Sequence, residues 1–325
     1  MIMNKIKLSL LFLFSLALGW SQIPKLEKDL KVLDYKIINN DTLKVHWYNA
    51  ASNNSKPTGA IAFFFGGGWV GGSYTHFQRQ ALYFSQRGLT TFLFDYRVET
   101  RHKTSPIACI KDARTALRFL KKNHLIFNID PEKIISSGGS AGGHIAAATA
   151  TLNTVNELTD DLSIDPNPFA MILFNPVFDN GPNGYHGSGA KELIEDDFRC
   201  YCKSYNSSNG KWARLFKNNF QDLSPFHNIT TQTPPTLVLF GSEDHLVPVE
   251  TAYEFQEQMK DQGNICQVVI YEGAKHGFFN GVRSKVNDTN ASSAKYFFDT
   301  LQAADDFLVN FNLLASSADV RDYFE

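Results

Sequence analysis

Apolar, β-branched and aromatic runs recur along the chain at 43–48, 60–65, 90–96, 134–137, 170–174, 236–240 and 266–271. Such runs predict strands. The later runs are continuous instead of alternating, as expected of strands covered on both faces of a mostly parallel sheet. Between them the spacing turns helical. The clearest helix begins after Ser105, a good N-cap residue, with Pro106 at its first position and a stripe of Ile107, Ile110, Ala113, Leu117 and Leu120. Further helices are expected near 75–87, 141–151, 249–262 and 293–313. Strands alternating with helices predict a doubly wound α/β fold.

The first residues stand apart from this pattern. Lys5 and Lys7 precede an almost unbroken apolar run from Leu8 to Leu18, which ends in Gly19-Trp20-Ser21. That is the pattern of a secretory signal peptide, too short for a permanent membrane helix. Residues 1–21 are therefore expected to be removed on export, placing the remainder in the periplasm or outside the cell. Residues 22–325 read as one domain with a cap-like insertion at about 178–222, where Asn, Ser and Gly thicken.

A formal net charge of −2 gives no electrostatic reason to expect nucleic acid or an anionic membrane surface as partner. Four cysteines, Cys109, Cys200, Cys202 and Cys266, are too few for a disulfide scaffold. The Cys200/Cys202 pair has neither a second such pair nor nearby histidines, so no metal site is expected.

The chemistry lies at strand ends. Ile134-Ile135-Ser136-Ser137 runs into Gly138-Gly139-Ser140-Ala141-Gly142, followed by an Ala-rich helical stretch. This is G-x-S-x-G between a strand and a helix, the context in which a serine sits on a sharp turn with its hydroxyl above the sheet. The spacing of a dinucleotide loop is absent and no P-loop lysine follows, which argues against phosphate binding. A serine hydroxyl needs a base, and the base needs an orienting group. The strand 236–240 leads to Gly241-Ser242-Glu243-Asp244-His245, and the strand 266–271 leads to Lys275-His276-Gly277-Phe278. Asp244 competes with Glu243 for the acid and His276 with His245 for the base. Ser140, Asp244, His276 follow the chain order of a hydrolase triad. Gly66-Gly67-Gly68 after an early strand offers the N–H groups of Gly67 and Gly68, with that of Ala141, as an oxyanion hole.

These motifs, together with Asp95-Tyr96-Arg97, Asp130-Pro131, Thr233-Pro234-Pro235 and His276-Gly277-Phe278-Phe279, resemble in their order the hormone-sensitive-lipase-like and acetylxylan-esterase-like α/β-hydrolases. The resemblance spans about residues 60–281. It implies an α/β-hydrolase fold, a Ser140–His276–Asp244 triad, hydrolysis of carboxylic esters and no cofactor. Many such proteins carry a histidine before the three glycines; here Phe65 stands in its place, so a hydrogen bond bracing the loop is missing. Asp112 and His144 match family positions and are expected to be structural.

Trp69, Arg101, His102, Tyr185 and Trp212, with His186 and Arg199, are the candidates to meet substrate. The polar and aromatic composition of the insertion suits acetylated carbohydrate better than a long acyl chain. A lipase or an acyl-peptidase-like hydrolase is the alternative on the same fold. A non-catalytic binding protein is the alternative from another class, and an intact triad argues against it.

Overall fold

The structure, a computed structural model, describes residues 26, 28–51, 56–181, 184–185, 211–281, 291–315 and 319–324. The expected signal peptide, Cys200, Cys202, His186 and Arg199 lie outside these residues. So do the side chain of Trp212 and most of the expected cap.

Eight strands form one sheet: β1 (Lys31–Ile38), β2 (Asp41–Tyr48), β3 (Thr58–Phe64), β4 (Thr90–Phe94), β5 (Ile129–Gly139), β6 (Ala170–Phe174), β7 (Thr236–Gly241) and β8 (Cys266–Tyr271). Their spatial order is β1-β2-β4-β3-β5-β6-β7-β8. The pairs β1/β2 and β2/β4 are antiparallel and every other pair is parallel. The helices are α1 (Gln78–Gln86), α2 (Glu99–His102), α3 (Pro106–Lys122), α4 (His124–Phe127), α5 (Ala141–Thr151), α6 (Lys211–Leu223), α7 (Glu250–Asp261) and α8 (Ala291–Asn310).

The strands β4, β6 and β7 are buried throughout, as are the later parts of β3 and β5, and successive residues supply opposite faces. In β3, Ala60, Ala62 and Phe64 pack with α3 and α5, whereas Ile61 and Phe63 pack with α1 and α8. Helices on both faces thus explain why these strands read as continuous apolar runs. The strand β1 escapes the sequence pattern because it is a polar edge, and only Tyr35 and Lys36 of its eight residues are buried. Ser105 occupies the N-cap of α3 but makes no side-chain capping bond, so Pro106 marks that boundary alone.

The strand order places the site. From β3 the chain moves outward to β4 and then returns to β5 on the other side of β3. Such a reversal opens a crevice at the carboxyl ends of the two strands. In register, Phe64 of β3 faces Gly138 of β5, so the loops after these strands leave the sheet side by side. Among the described residues no helix is long and apolar enough to cross a membrane.

Candidate active site

Ser140 follows β5 with φ 55° and ψ −124°, a strained conformation for a residue with a side chain. The flanking glycines allow the turn. A Cβ on Gly138 would lie 2.3 Å from the Gly142 carbonyl oxygen, and one on Gly142 would lie 2.2 Å from that of Phe64. The turn is tied at both ends. Ser140 N–H donates to the Phe174 carbonyl at 2.9 Å, and His144 N–H donates to the Ser140 carbonyl at 3.0 Å.

The loops after β7 and β8 bring the other two groups. The Ser140 hydroxyl donates to His276 Nε2 at 2.9 Å, and His276 Nδ1–H donates to Asp244 Oδ2 at 2.7 Å. The other Asp244 oxygen accepts the Leu246 and Val247 N–H groups at 2.9 and 3.1 Å. The carboxylate is fully shielded from solvent and the imidazole is 15% exposed. Glu243 and His245 point into solvent, so burial separates each from the neighbour it resembles in sequence. One imidazole with a fixed tautomer, holding a serine hydroxyl on one nitrogen and a buried carboxylate on the other, can take up and return the serine proton.

Beside Ser140 opens a pocket of about 440 Å³. Gly66, Gly67, Ser73, Thr75, His76, Asn175, Phe279 and Asn280 are part of its wall, with Ser140 and His276. Gly67 has φ +132° and a Cβ there would collide with the Gly71 carbonyl, so only glycine can turn the chain at this point. Gly66, Gly67 and Gly72 line the pocket, and Gly68 is buried next to Gly67. Ala141 opens α5 directly after the serine, where an N–H has no partner within its helix.

The loop lacks a histidine at 65, yet it is not unbraced. Tyr96 Oη donates to the Phe65 carbonyl at 2.6 Å, the two rings stack at 4.0 Å, and Gly66 N–H donates to His76 Nδ1 at 2.9 Å.

Four of the expected substrate contacts, Trp69, Arg101, His102 and Tyr185, make contacts within the protein. Trp69, at φ 60°, is buried against His144, Tyr185 and Phe216 of α6, and its indole N–H donates to His144 Nδ1 at 3.2 Å. Tyr185 thus meets Trp69. Arg101 pairs with Asp95 at 2.7 Å and donates to the Gly72 carbonyl at 2.6 Å. His102 Nδ1 accepts the Val98 N–H. None of Trp69, Arg101, His102 and Tyr185 lines the pocket. Asp112 is structural: it is buried and binds Arg97 at 2.8 Å and Lys36 at 2.6 Å, fixing the turn after β4. His144 is buried too. Its Nε2 donates to the Leu223 carbonyl at the end of α6, and burial pulls its pKa from 6.5 down to about 4.

Asn175 is a site residue that the sequence pattern does not single out. It directly follows β6 at φ 35°, is fully buried, and places its amide nitrogen 3.0 and 3.2 Å from the two ring nitrogens of His276. The one signal for it was an Asn-Pro pair at a strand end. Cys109 and Cys266 are free thiols, and no cluster of His, Cys, Asp and Glu suited to a metal occurs among the described residues.

Comparison with known proteins accords with this geometry. The BD-FAE family pattern matches residues 48–259. The chain belongs to the BD-FAE family. A dienelactone hydrolase family pattern also matches residues 221–305 of this BD-FAE member, the segment carrying Asp244 and His276. Its fold is that of an α/β-hydrolase. An acetylxylan esterase of Xylanibacter ruminicola is 26% identical over 71% of the chain and 44% of its own length. Esterase LipC of Mycobacterium tuberculosis is 30% identical over 69% of the chain and 54% of its own. The chain thus spans about half the length of these relatives. Among solved structures, esterase 2 of Thermogutta terrifontis with propionate bound is 34% identical, covers 91% of this chain and 98% of its own, and superposes with a TM-score of 0.75.

Proposed function

We propose that this BD-FAE member is a serine carboxylic-ester hydrolase in which Ser140 is the nucleophile, His276 the general base and Asp244 the group that orients it. The observation that carries the reading is the unbroken Ser140–His276–Asp244 chain at 2.9 and 2.7 Å, set on a strained turn beside an open pocket. Ser140 Oγ attacks the ester carbonyl carbon as its proton passes to His276 Nε2. The tetrahedral intermediate collapses, and the departing alkoxide takes that proton and leaves as the alcohol. Water, deprotonated by the same nitrogen, then releases the acid and restores Ser140. The N–H groups of Gly67, Gly68 and Ala141 are the donors for the negative carbonyl oxygen.

The substrate we propose is a short acyl ester of a hydroxylated alcohol, foremost acetylated carbohydrate. Ser73, Thr75, His76, Asn175 and Asn280 give the pocket hydrogen-bonding groups, with Phe279 as its large apolar surface. An octanoyl chain, whose retention rests on about 0.8 kcal/mol per buried CH₂, finds little there to bury against. The xylan-directed name of one relative and the propionate bound by the Thermogutta enzyme support the same direction. Export by a signal peptide at residues 1–21 would bring the enzyme to such material. The test is kcat/KM on acetyl, butyryl and octanoyl esters of one alcohol, with acetate release from acetylated oligosaccharides. Preference for acetyl or butyryl with acetate released supports the reading; preference rising to octanoyl with no acetate released makes the protein a lipase.

A further inference from the structure

The peptide that joins Phe65 to Gly66 is the last before the loop reaches the pocket, and it lies beyond the end of β3, where ladder hydrogen bonds no longer hold it. Two side chains hold it instead. Its carbonyl oxygen accepts the Tyr96 hydroxyl at 2.6 Å, and its N–H donates to His76 Nδ1 at 2.9 Å. One peptide plane is thus pinned from both of its polar ends. The next N–H along the chain is that of Gly67, beside Ser140. Its direction follows from the plane before it and the backbone dihedrals of Gly66, after which Gly67, at φ +132°, turns the chain away.

The imidazole of His76 is itself fixed. It stands between Phe77 and Phe279, with ring centroids 5.1 and 5.5 Å away. Its Cε1 lies 3.1 Å from where a Cβ on Gly66 would be. Phe279 in turn presses on Gly139, the residue before the nucleophile, where an added Cβ would come within 2.5 Å of the ring. The ring therefore spans from the glycine loop to the elbow. Accepting a bond at Nδ1 requires the tautomer with its proton on Nε2.

We propose that His76 is a positioning residue for the oxyanion loop: through Nδ1 it sets the Phe65–Gly66 peptide, and thereby aims the Gly67 N–H at the developing oxyanion. This rests on the esterase reading above. A donor that acts only on the oxyanion strengthens in the transition state, so loss of its aim falls on kcat and not on KM.

The test uses the full-length protein and an activated acetyl ester, with Ser140→Ala measured alongside. His76→Phe keeps an aromatic ring between Phe77 and Phe279 but offers no acceptor. His76→Asn presents an oxygen close to where Nδ1 stands, and His76→Gln presents one close to Nε2. A misaimed donor predicts a fall in kcat of about 10- to 100-fold for His76→Phe and His76→Gln with KM within about threefold, and recovery of most of the wild-type kcat in His76→Asn. Wild-type kcat in His76→Phe would overturn the proposal, and so would equal impairment of the Asn and Gln variants or a loss confined to KM. Should His76→Phe fail to fold, the Asn–Gln contrast decides alone. Activity retained by folded Ser140→Ala would instead sink the esterase reading, which keeps the two failures apart.

Discussion

The elbow around Ser140 and the glycine loop at 66–72 leave adjacent strands and face the same reacting centre, yet they are held by different means. The elbow is specified mainly by glycines within it: Gly138, Gly139, Gly142 and Gly143 each sit where a Cβ would come within 2.2–2.8 Å of an atom of Gly142, Phe279, Phe64 and Pro176 respectively. The glycine loop is specified largely from outside. Tyr96, His76 and Arg101 reach it from other parts of the chain, and His144 holds it through Trp69 within the loop. A locally fixed turn is sensitive to changes within it, whereas an externally fixed loop is sensitive to changes far along the sequence.

The largest effect is expected where both regions meet. Ser140→Ala or His276→Ala should lower kcat by on the order of 10⁴-fold or more with an unchanged circular dichroism spectrum, and Asp244→Asn should be of similar severity through loss of the imidazole tautomer. Next comes the elbow itself. Gly142→Ala drives a methyl group to 2.2 and 2.3 Å from the carbonyl oxygens of Phe64 and Phe65. Backbone atoms cannot step aside as a side chain can, so we expect about 3 kcal/mol or more of lost stability in urea titrations, and little residual activity.

The externally held loop should break differently, with pH. His144 is neutral in the folded protein because burial lowers its pKa from 6.5 to about 4. The unfolded chain therefore binds the proton first as pH falls. The stability that neutral His144 contributes is complete above about pH 6.5 and is lost progressively toward pH 4, by up to about 3 kcal/mol. Unfolding free energies measured between pH 7 and 4 should show this slope, and His144→Gln should flatten it; an unchanged slope in the variant would assign the pH dependence elsewhere.

Smaller still, Trp69→Phe removes the indole N–H and leaves the buried His144 Nδ1 without that donor, at a cost of about 1–2 kcal/mol. The effect should appear in stability and, through the loop, as a modest fall in kcat. Glu243→Gln, an exposed change next to the acid, should alter stability by less than about 0.5 kcal/mol and leave kcat near wild type. If Glu243→Gln and Asp244→Asn exchanged their outcomes, the acid of the triad would be Glu243.

The triad was legible in the sequence because each member follows a strand with a turn that few residues can make. Gly-x-Ser-x-Gly is such a turn, and Asp244 and His276 each follow a continuous apolar run whose carboxyl end must face the crevice. The central strands β3 to β7 were legible for a related reason: burial on both faces removes polar residues from the run. The strand β1 was not, since an edge strand with solvent on one side mixes Lys, Asp and Tyr with Val and Ile.

What lines the pocket was decided only in three dimensions. Trp69, Arg101 and His102 stand close in sequence to the glycine loop or to the turn after β4, and proximity suggested contact with substrate. Tertiary packing instead turned the Trp69 indole toward His144 and α6, and spent Arg101 on Asp95 and Gly72. Conversely His76 and Asn175 come from segments with no chemical motif, and they enter the site because the 3₁₀ turn Tyr74–Phe77 packs beside β3 and β6 pairs with β5. A turn's conformation depends on the residues within it, so the sequence by itself singled out Ser140, His276 and Asp244, which the fold brings together. A loop's brace depends on which distant surface it meets, a relation between segments that local pattern does not carry and only the tertiary structure supplied.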